Sequence, residues 1–146
     1  MSDSGVVDIL LVEDSDADAE MTIRALNKGK LAPKLVWVKD GVEALDFVHR
    51  TGAYRQRRDG HPRLILLDIK MPRLSGIDVL RRLKSDGRTR MIPVAMLTSS
   101  AEEQDLVTSY ELGVNSYLVK PVDSEAFVDV VACAGRYWAL MNRVPD

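Results

Sequence analysis

The 146-residue chain is 46% hydrophobic and 29% charged, which fits one soluble globular domain able to bury about 70% of its unfolded surface. A single cysteine, Cys133, excludes an internal disulfide, and residues 1–5 carry no basic stretch before an apolar run too short for a signal peptide or membrane span; together these indicate a reducing cytoplasm. The net charge of -2 hides an asymmetry, because residues 50–90 hold 12 of the 20 Lys and Arg but 4 of the 22 Asp and Glu. That basic excess reads as a solvated face or a dock for an acidic protein, and the lack of regular aromatic interleaving or a reading motif argues against direct nucleic-acid binding.

Strand and helix signals alternate along the chain. Val7-Asp8-Ile9-Leu10-Leu11-Val12 is a near-continuous aliphatic run, the pattern of a strand buried on both faces of a parallel sheet. Ser15 is placed to cap a helix reaching about Lys28, with Asp16, Asp18 and Glu20 near its positive end and Gly29 closing it. Pro33 precedes a second strand, Leu35-Val36-Trp37-Val38, and Asp40 or Gly41 opens a helix with Val42, Leu45, Phe47 and Val48 as its apolar set. A polar, Arg-rich connection from Thr51 to Pro62 is unusually long for an αβ loop. Leu64-Ile65-Leu66-Leu67 predicts the third strand, and Ser75 caps a helix with Ile77, Leu80 and Leu83 at helical spacing up to Gly87. Pro93-Val94-Ala95-Met96-Leu97 predicts the fourth, followed by a capping-box pattern at Ser100-Ala101-Glu102-Glu103 and a helix closing near Gly113. Tyr117-Leu118-Val119 predicts the fifth, and a last helix from Asp123 carries Phe127, Val131, Ala134, Trp138 and Met141 on one stripe; Cys133 in it reads as a small core residue. Five strands alternating with five helices imply a single (βα)5 doubly wound α/β domain spanning residues 1–146, with a parallel sheet covered on both faces.

Four of these strands end in a functional group: Glu13-Asp14, Asp68, Thr98 and Lys120. In an open α/β sheet, ligands bind beyond the carboxyl ends of the strands, so three carboxylates, a hydroxyl and an ammonium converge on one pocket. Taken singly, each has an ordinary reading as a turn, cap or exposed residue; the case rests on their co-occurrence. Clustered carboxylates repel and call for a cation, and hard oxygen ligands suit Mg²⁺. With charge neutralised, one carboxylate can attack a phosphorus centre and form an aspartyl phosphate. Asp14-Ser15-Asp16-Ala17-Asp18 starts like a calcium loop, but Ala19 and Ala25 stand where Gly and Glu are required. No phosphate-binding loop motif is present, and His49 and His61 lie away from the strand ends. A Mg²⁺-dependent phosphohydrolase stays open as an alternative, although a dehalogenase-type phosphatase wants Asp where Lys70 stands.

As a set, these residues resemble the response regulator receiver domain of two-component signalling, over residues about 6–141. The resemblance implies the flavodoxin-like strand order 2-1-3-4-5 and assigns Asp68 as phosphoacceptor. It makes Asp14 a direct Mg²⁺ ligand and Glu13 mostly a water-mediated one, with Asp68 and the backbone carbonyl of Lys70 completing the metal shell. It makes Thr98 the switch hydroxyl, Tyr117 the switch aromatic, and Lys120-Pro121 the site lysine with a cis peptide; Pro72 and Gly76 shape the loop. The Arg-rich loop and the final helix with Tyr137-Trp138 are similar to stand-alone regulators paired with bacterial phytochrome kinases. A signalling switch without an output domain is therefore expected, accepting phosphate from a sensor histidine kinase and acting through protein binding or phosphorelay. A pseudo-receiver that never carries phosphate is disfavoured by the intact site. Homodimerisation is expected through the fourth helix, fifth strand and fifth helix.

Overall fold

The computed structural model describes residues 7–28, 34–58, 60–99, 113–114 and 116–130. The aliphatic runs form β1 (Ile9–Val12), β3 (Leu64–Asp68) and β4 (Val94–Thr98), in which every residue is buried. They are flanked by β2 (Leu35–Val38) and β5 (Ser116–Val119), whose residues are mostly half-exposed, as edge strands allow. All pairs are parallel and the order is 2-1-3-4-5, the order expected. Side chains alternate across the sheet with a period of two. Thus Leu10 and Val12 join a core with α2 (Gly41–His49) and α3 (Gly76–Ser85) on one face. Ile9 and Leu11 join a second core with α1 (Asp16–Lys28) and the helical residues 124–130 on the other. The sheet is doubly wound for this reason: neither of its faces is polar enough to meet water.

Helix starts follow the caps read in the sequence. Ser15 Oγ accepts from Asp18 N (3.2 Å), Asp40 Oδ1 from Glu43 N (2.8 Å) and Ser75 Oγ from Asp78 N (3.2 Å), each satisfying an amide that the helix leaves without a partner. One apolar assignment fails: Val42 is 43% exposed, and Ala44 takes its place beside Leu45, Phe47 and Val48 in the core. The loop after α2 is also more structured than a solvated connection. It contains a 3₁₀ turn, Gly52–Tyr54, and Tyr54 sets its ring edge-on to Phe47 at 5.0 Å while its hydroxyl donates to Glu43 Oε2 (2.7 Å). The Arg57 guanidinium lies 4.1 Å from the Phe47 ring centroid and donates to the carbonyls of Phe47 (2.8 and 3.1 Å) and Gly60 (3.0 Å). The expected fourth helix, Gly29, Pro33, Cys133 and most of the final helix stripe lie outside the described residues. Among the described residues, no helix is long and apolar enough to cross a membrane.

Candidate functional site

Parallel pairing gathers the strand ends, and the register sets who meets whom. Val12 pairs with Leu67, so Glu13 follows β1 beside Asp68; Thr98 pairs with Val119, so Lys120 leaves β5 beside the end of β4. The Lys120 amide donates to the Thr98 carbonyl (2.8 Å), and the Lys120–Pro121 peptide is cis. Glu13, Asp14 and Asp68 each bring a carboxylate oxygen within 4.8 Å of the others. Glu13 is 0% and Asp68 4% exposed, whereas Asp14 faces solvent.

Lys120 binds this group together. Its Nζ lies 2.8 Å from Glu13 Oε1, 2.9 Å from Asp68 Oδ1 and 3.1 Å from Asp18 Oδ2. Burial alone would drive the proton off Lys120, but hydrogen bonds to Glu13 and Asp68 outweigh it and hold the ammonium charged. Asp68 responds oppositely: burial pushes its carboxyl up, Lys120 pulls it back only in part, and the Glu13 charge adds to the rise, leaving it near 7. One ammonium does not neutralise three clustered carboxylates, so the donor set, all hard oxygens, fits a divalent cation.

Two further features suit a phosphoryl group. Thr98 is fully buried, and among the described residues its Oγ1 has no hydrogen-bond partner, an arrangement that costs free energy unless an incoming acceptor uses it. Gly76 lets the chain pass against the end of β3, since a Cβ there would sit 2.0 Å from the Asp68 carbonyl oxygen. The loop between them closes through Gly76 N to Ile69 O (2.8 Å), with Arg73 left-handed at φ 67° and ion-paired to Asp40.

Lys70 is exposed on this loop, two residues beyond Asp68. Tyr117 pairs with Met96 and so shares a sheet face with Thr98; it is half-buried and packs on the core of that face. His49 and His61 line a separate cavity of about 290 Å³ with Arg50 and Arg88, near where the strands begin. Two residues at the site were not singled out from sequence. Asp18 reads there as one of several acids at a helix start, yet its carboxylate reaches Lys120. Trp37 reads as a strand residue remote from the site, yet its Nε1 donates to the Glu13 carbonyl (2.8 Å).

Residues 9–132 match the family model described as the response regulator receiver domain. The chain belongs to this family. Among solved structures, the bacteriophytochrome response regulator AtBRR superposes with a TM-score of 0.85 at 50% identity, covering 94% of this chain and 98% of that one. RtBRR, another bacteriophytochrome response regulator, gives 0.85 at 48%, covering 96% and 84%. Response regulator Rcp1 of Synechocystis sp. is 36% identical over 89% of this chain and 87% of its own. Its Mn²⁺-bound crystal structure gives a TM-score of 0.69, covering 95% of this chain and 97% of that one. The resemblance drawn from the residues is thus shown: the protein is a receiver domain of the two-component type, a signalling family, with phytochrome-associated regulators as near structural neighbours.

Proposed function

We propose that the protein is a phosphorylation-dependent switch that takes a phosphoryl group onto Asp68 from the phosphohistidine of a sensor histidine kinase. The observation that carries this reading is the buried Glu13–Lys120–Asp68 arrangement beside exposed Asp14 and the Thr98 hydroxyl, which has no partner among the described residues. In the step, a carboxylate oxygen of Asp68 forms a bond to phosphorus while the phosphorus–nitrogen bond breaks and the imidazole leaves with its electron pair. Lys120 stabilises charge on the transferring group, and Thr98 Oγ1 donates to one of its oxygens. Later attack by water at phosphorus releases inorganic phosphate and restores the carboxylate.

Asp14 and Asp68, with the Lys70 backbone carbonyl, would hold Mg²⁺, and Glu13 would act on it through water. Occupancy supports the division: Glu13 Oε1 faces Lys120 and Oε2 accepts from Ser15 N (3.2 Å), while Asp14 is exposed. When bound, Mg²⁺ neutralises the acidic cluster and charge on the phosphoryl oxygens. A cation also favours the ionised form of Asp68, the form that attacks.

Phosphate at Asp68 then draws Thr98 toward its oxygens and lets Tyr117 turn inward, changing the surface around β5. Rcp1 and the bacteriophytochrome regulators point to a phytochrome-type kinase as donor, with output through homodimerisation, another protein or phosphorelay, in the cytoplasm. The test is intact mass after acetyl phosphate and Mg²⁺. One phosphoryl group is gained by the wild type and none by Asp68→Asn; an equal gain in the variant overturns the reading.

A further inference from the structure

We propose that Trp37 is a positioning residue for the acidic pair, holding Glu13 by its backbone and coupling the metal site to the outer edge of the sheet; the inference rests on the Mg²⁺ reading above. The β1–β2 pairing ends at Val12 and Val38, and the last tie across it is Glu13 N donating to Val38 O (3.1 Å). Past that point the strand ladder offers the Glu13 carbonyl no partner, and Glu13 is wholly buried. The Trp37 indole, which can only donate, takes the role with a 2.8 Å bond to that oxygen.

Glu13 is therefore fixed at four points: its amide by Val38, its carbonyl by Trp37, and its two carboxylate oxygens by Lys120 and Ser15. The Trp37 contact reaches Glu13 from a half-buried side chain on the edge strand β2. Lys39 Nζ sits 5.1 Å from the ring centroid and is ion-paired with Asp16 Oδ1 (3.1 Å), two residues beyond Asp14. The same indole lines a cavity of about 380 Å³ between α1 and β2 with Asp16, Glu20, Ile23, Arg24 and Lys39. A shift of Glu13 when a cation binds must move or release this hydrogen bond, and the indole reads it.

The test combines two measurements on the full chain. In ¹⁵N-labelled wild type, with the Trp37 indole resonance assigned through bonds, Mg²⁺ should shift that resonance saturably, with the same Kd that calorimetry gives. Trp37→Phe keeps an aromatic ring and removes the donor, and should weaken Mg²⁺ binding about tenfold, because the carbonyl it releases belongs to the peptide that carries Asp14, the direct ligand. A purely structural role would lower stability and leave the Kd alone. An indole resonance that stays fixed through saturation, or wild-type affinity in Trp37→Phe, overturns this inference alone. A wild type that binds no Mg²⁺ overturns the metal reading and the inference with it. The resonance shift is read on the wild type, so it decides even where the variant fails to fold.

Discussion

Replacing Asp68, the proposed phosphoacceptor, should stabilise the metal-free protein. Asp68 is buried among like charges, and its cationic partner Lys120 is shared with Glu13 and Asp18. With an effective dielectric near 20, the Lys120 contact at 2.9 Å is worth about 6 kcal/mol of attraction. Repulsion from the buried Glu13 carboxylate, with an oxygen inside 4.8 Å, returns about 3.5 kcal/mol, and exposed Asp14 adds a smaller, solvent-screened share. The attraction that is left does not offset the desolvation of a buried carboxylate. The rise of the Asp68 carboxyl from 3.8 to about 7 says the same and sets a ceiling of about 4 kcal/mol at neutral pH. The sign follows from linkage: a folded pKa above the unfolded one means the fold favours the protonated acid. That contribution is complete below about pH 4 and is lost as pH rises to about 7. Asn at 68 cannot titrate, so in EDTA Asp68→Asn should gain on the wild type across this window and end about 1–3 kcal/mol more stable, a Tm several degrees higher. Saturating Mg²⁺, which binds the native wild type, should close or reverse the gap. Thermal melts of both proteins from pH 4 to 8, with EDTA and with Mg²⁺, provide the assay. A variant no more stable than wild type in EDTA at pH 7, or a gap that ignores pH, refutes the electrostatic account of the site.

Asp14→Ala should weaken Mg²⁺ binding more than Glu13→Ala, because a direct ligand is lost rather than a water-mediated one; calorimetry checks it, and equal losses contradict the division of roles. Moving a switch from 1:99 to 99:1 takes about 5.5 kcal/mol, and one hydroxyl bond to a charged oxygen supplies about 1.5–3 kcal/mol. Thr98→Ala should therefore leave Asp68 modifiable while weakening beryllofluoride-linked dimerisation, and Lys120→Ala should impair both, as sedimentation would show. Gly76→Ala forces a Cβ onto the Asp68 carbonyl oxygen, so it should cost more than about 3 kcal/mol in chemical denaturation, beyond the usual range for overpacking.

The parts legible in the sequence were those fixed by local chemistry. Aliphatic runs ending at Glu13, Asp68, Thr98 and Lys120 announced strands whose ends had to meet, because a parallel sheet leaves them no other place. Asp40 and Ser75 announced their helices because a cap acts on amides two or three residues away. What stayed hidden depends on rotation and long-range contact. Asp18 reaches Lys120, 102 positions away, only because α1 packs with that face turned to the site, and three neighbouring acids share its local pattern. Trp37 alternates like any strand residue, and its bond to Glu13 follows from where β1 stops. Val42 fits the apolar spacing of α2 as well as Ala44 does, and the sheet decides between them. Arg57 carries no local sign that its guanidinium covers Phe47.

The central claim is that a single acyl phosphate forms, and forms at Asp68. Borohydride reduces an aspartyl phosphate to homoserine, so treating the protein with acetyl phosphate and Mg²⁺, reducing it and mapping its peptides reads the site directly. The account predicts homoserine at position 68 alone, dependent on Mg²⁺ and reduced when Lys120 is replaced by Ala. Reduction at Glu13, Asp14 or any other carboxylate, or none at all under conditions where Mg²⁺ binds, would contradict it.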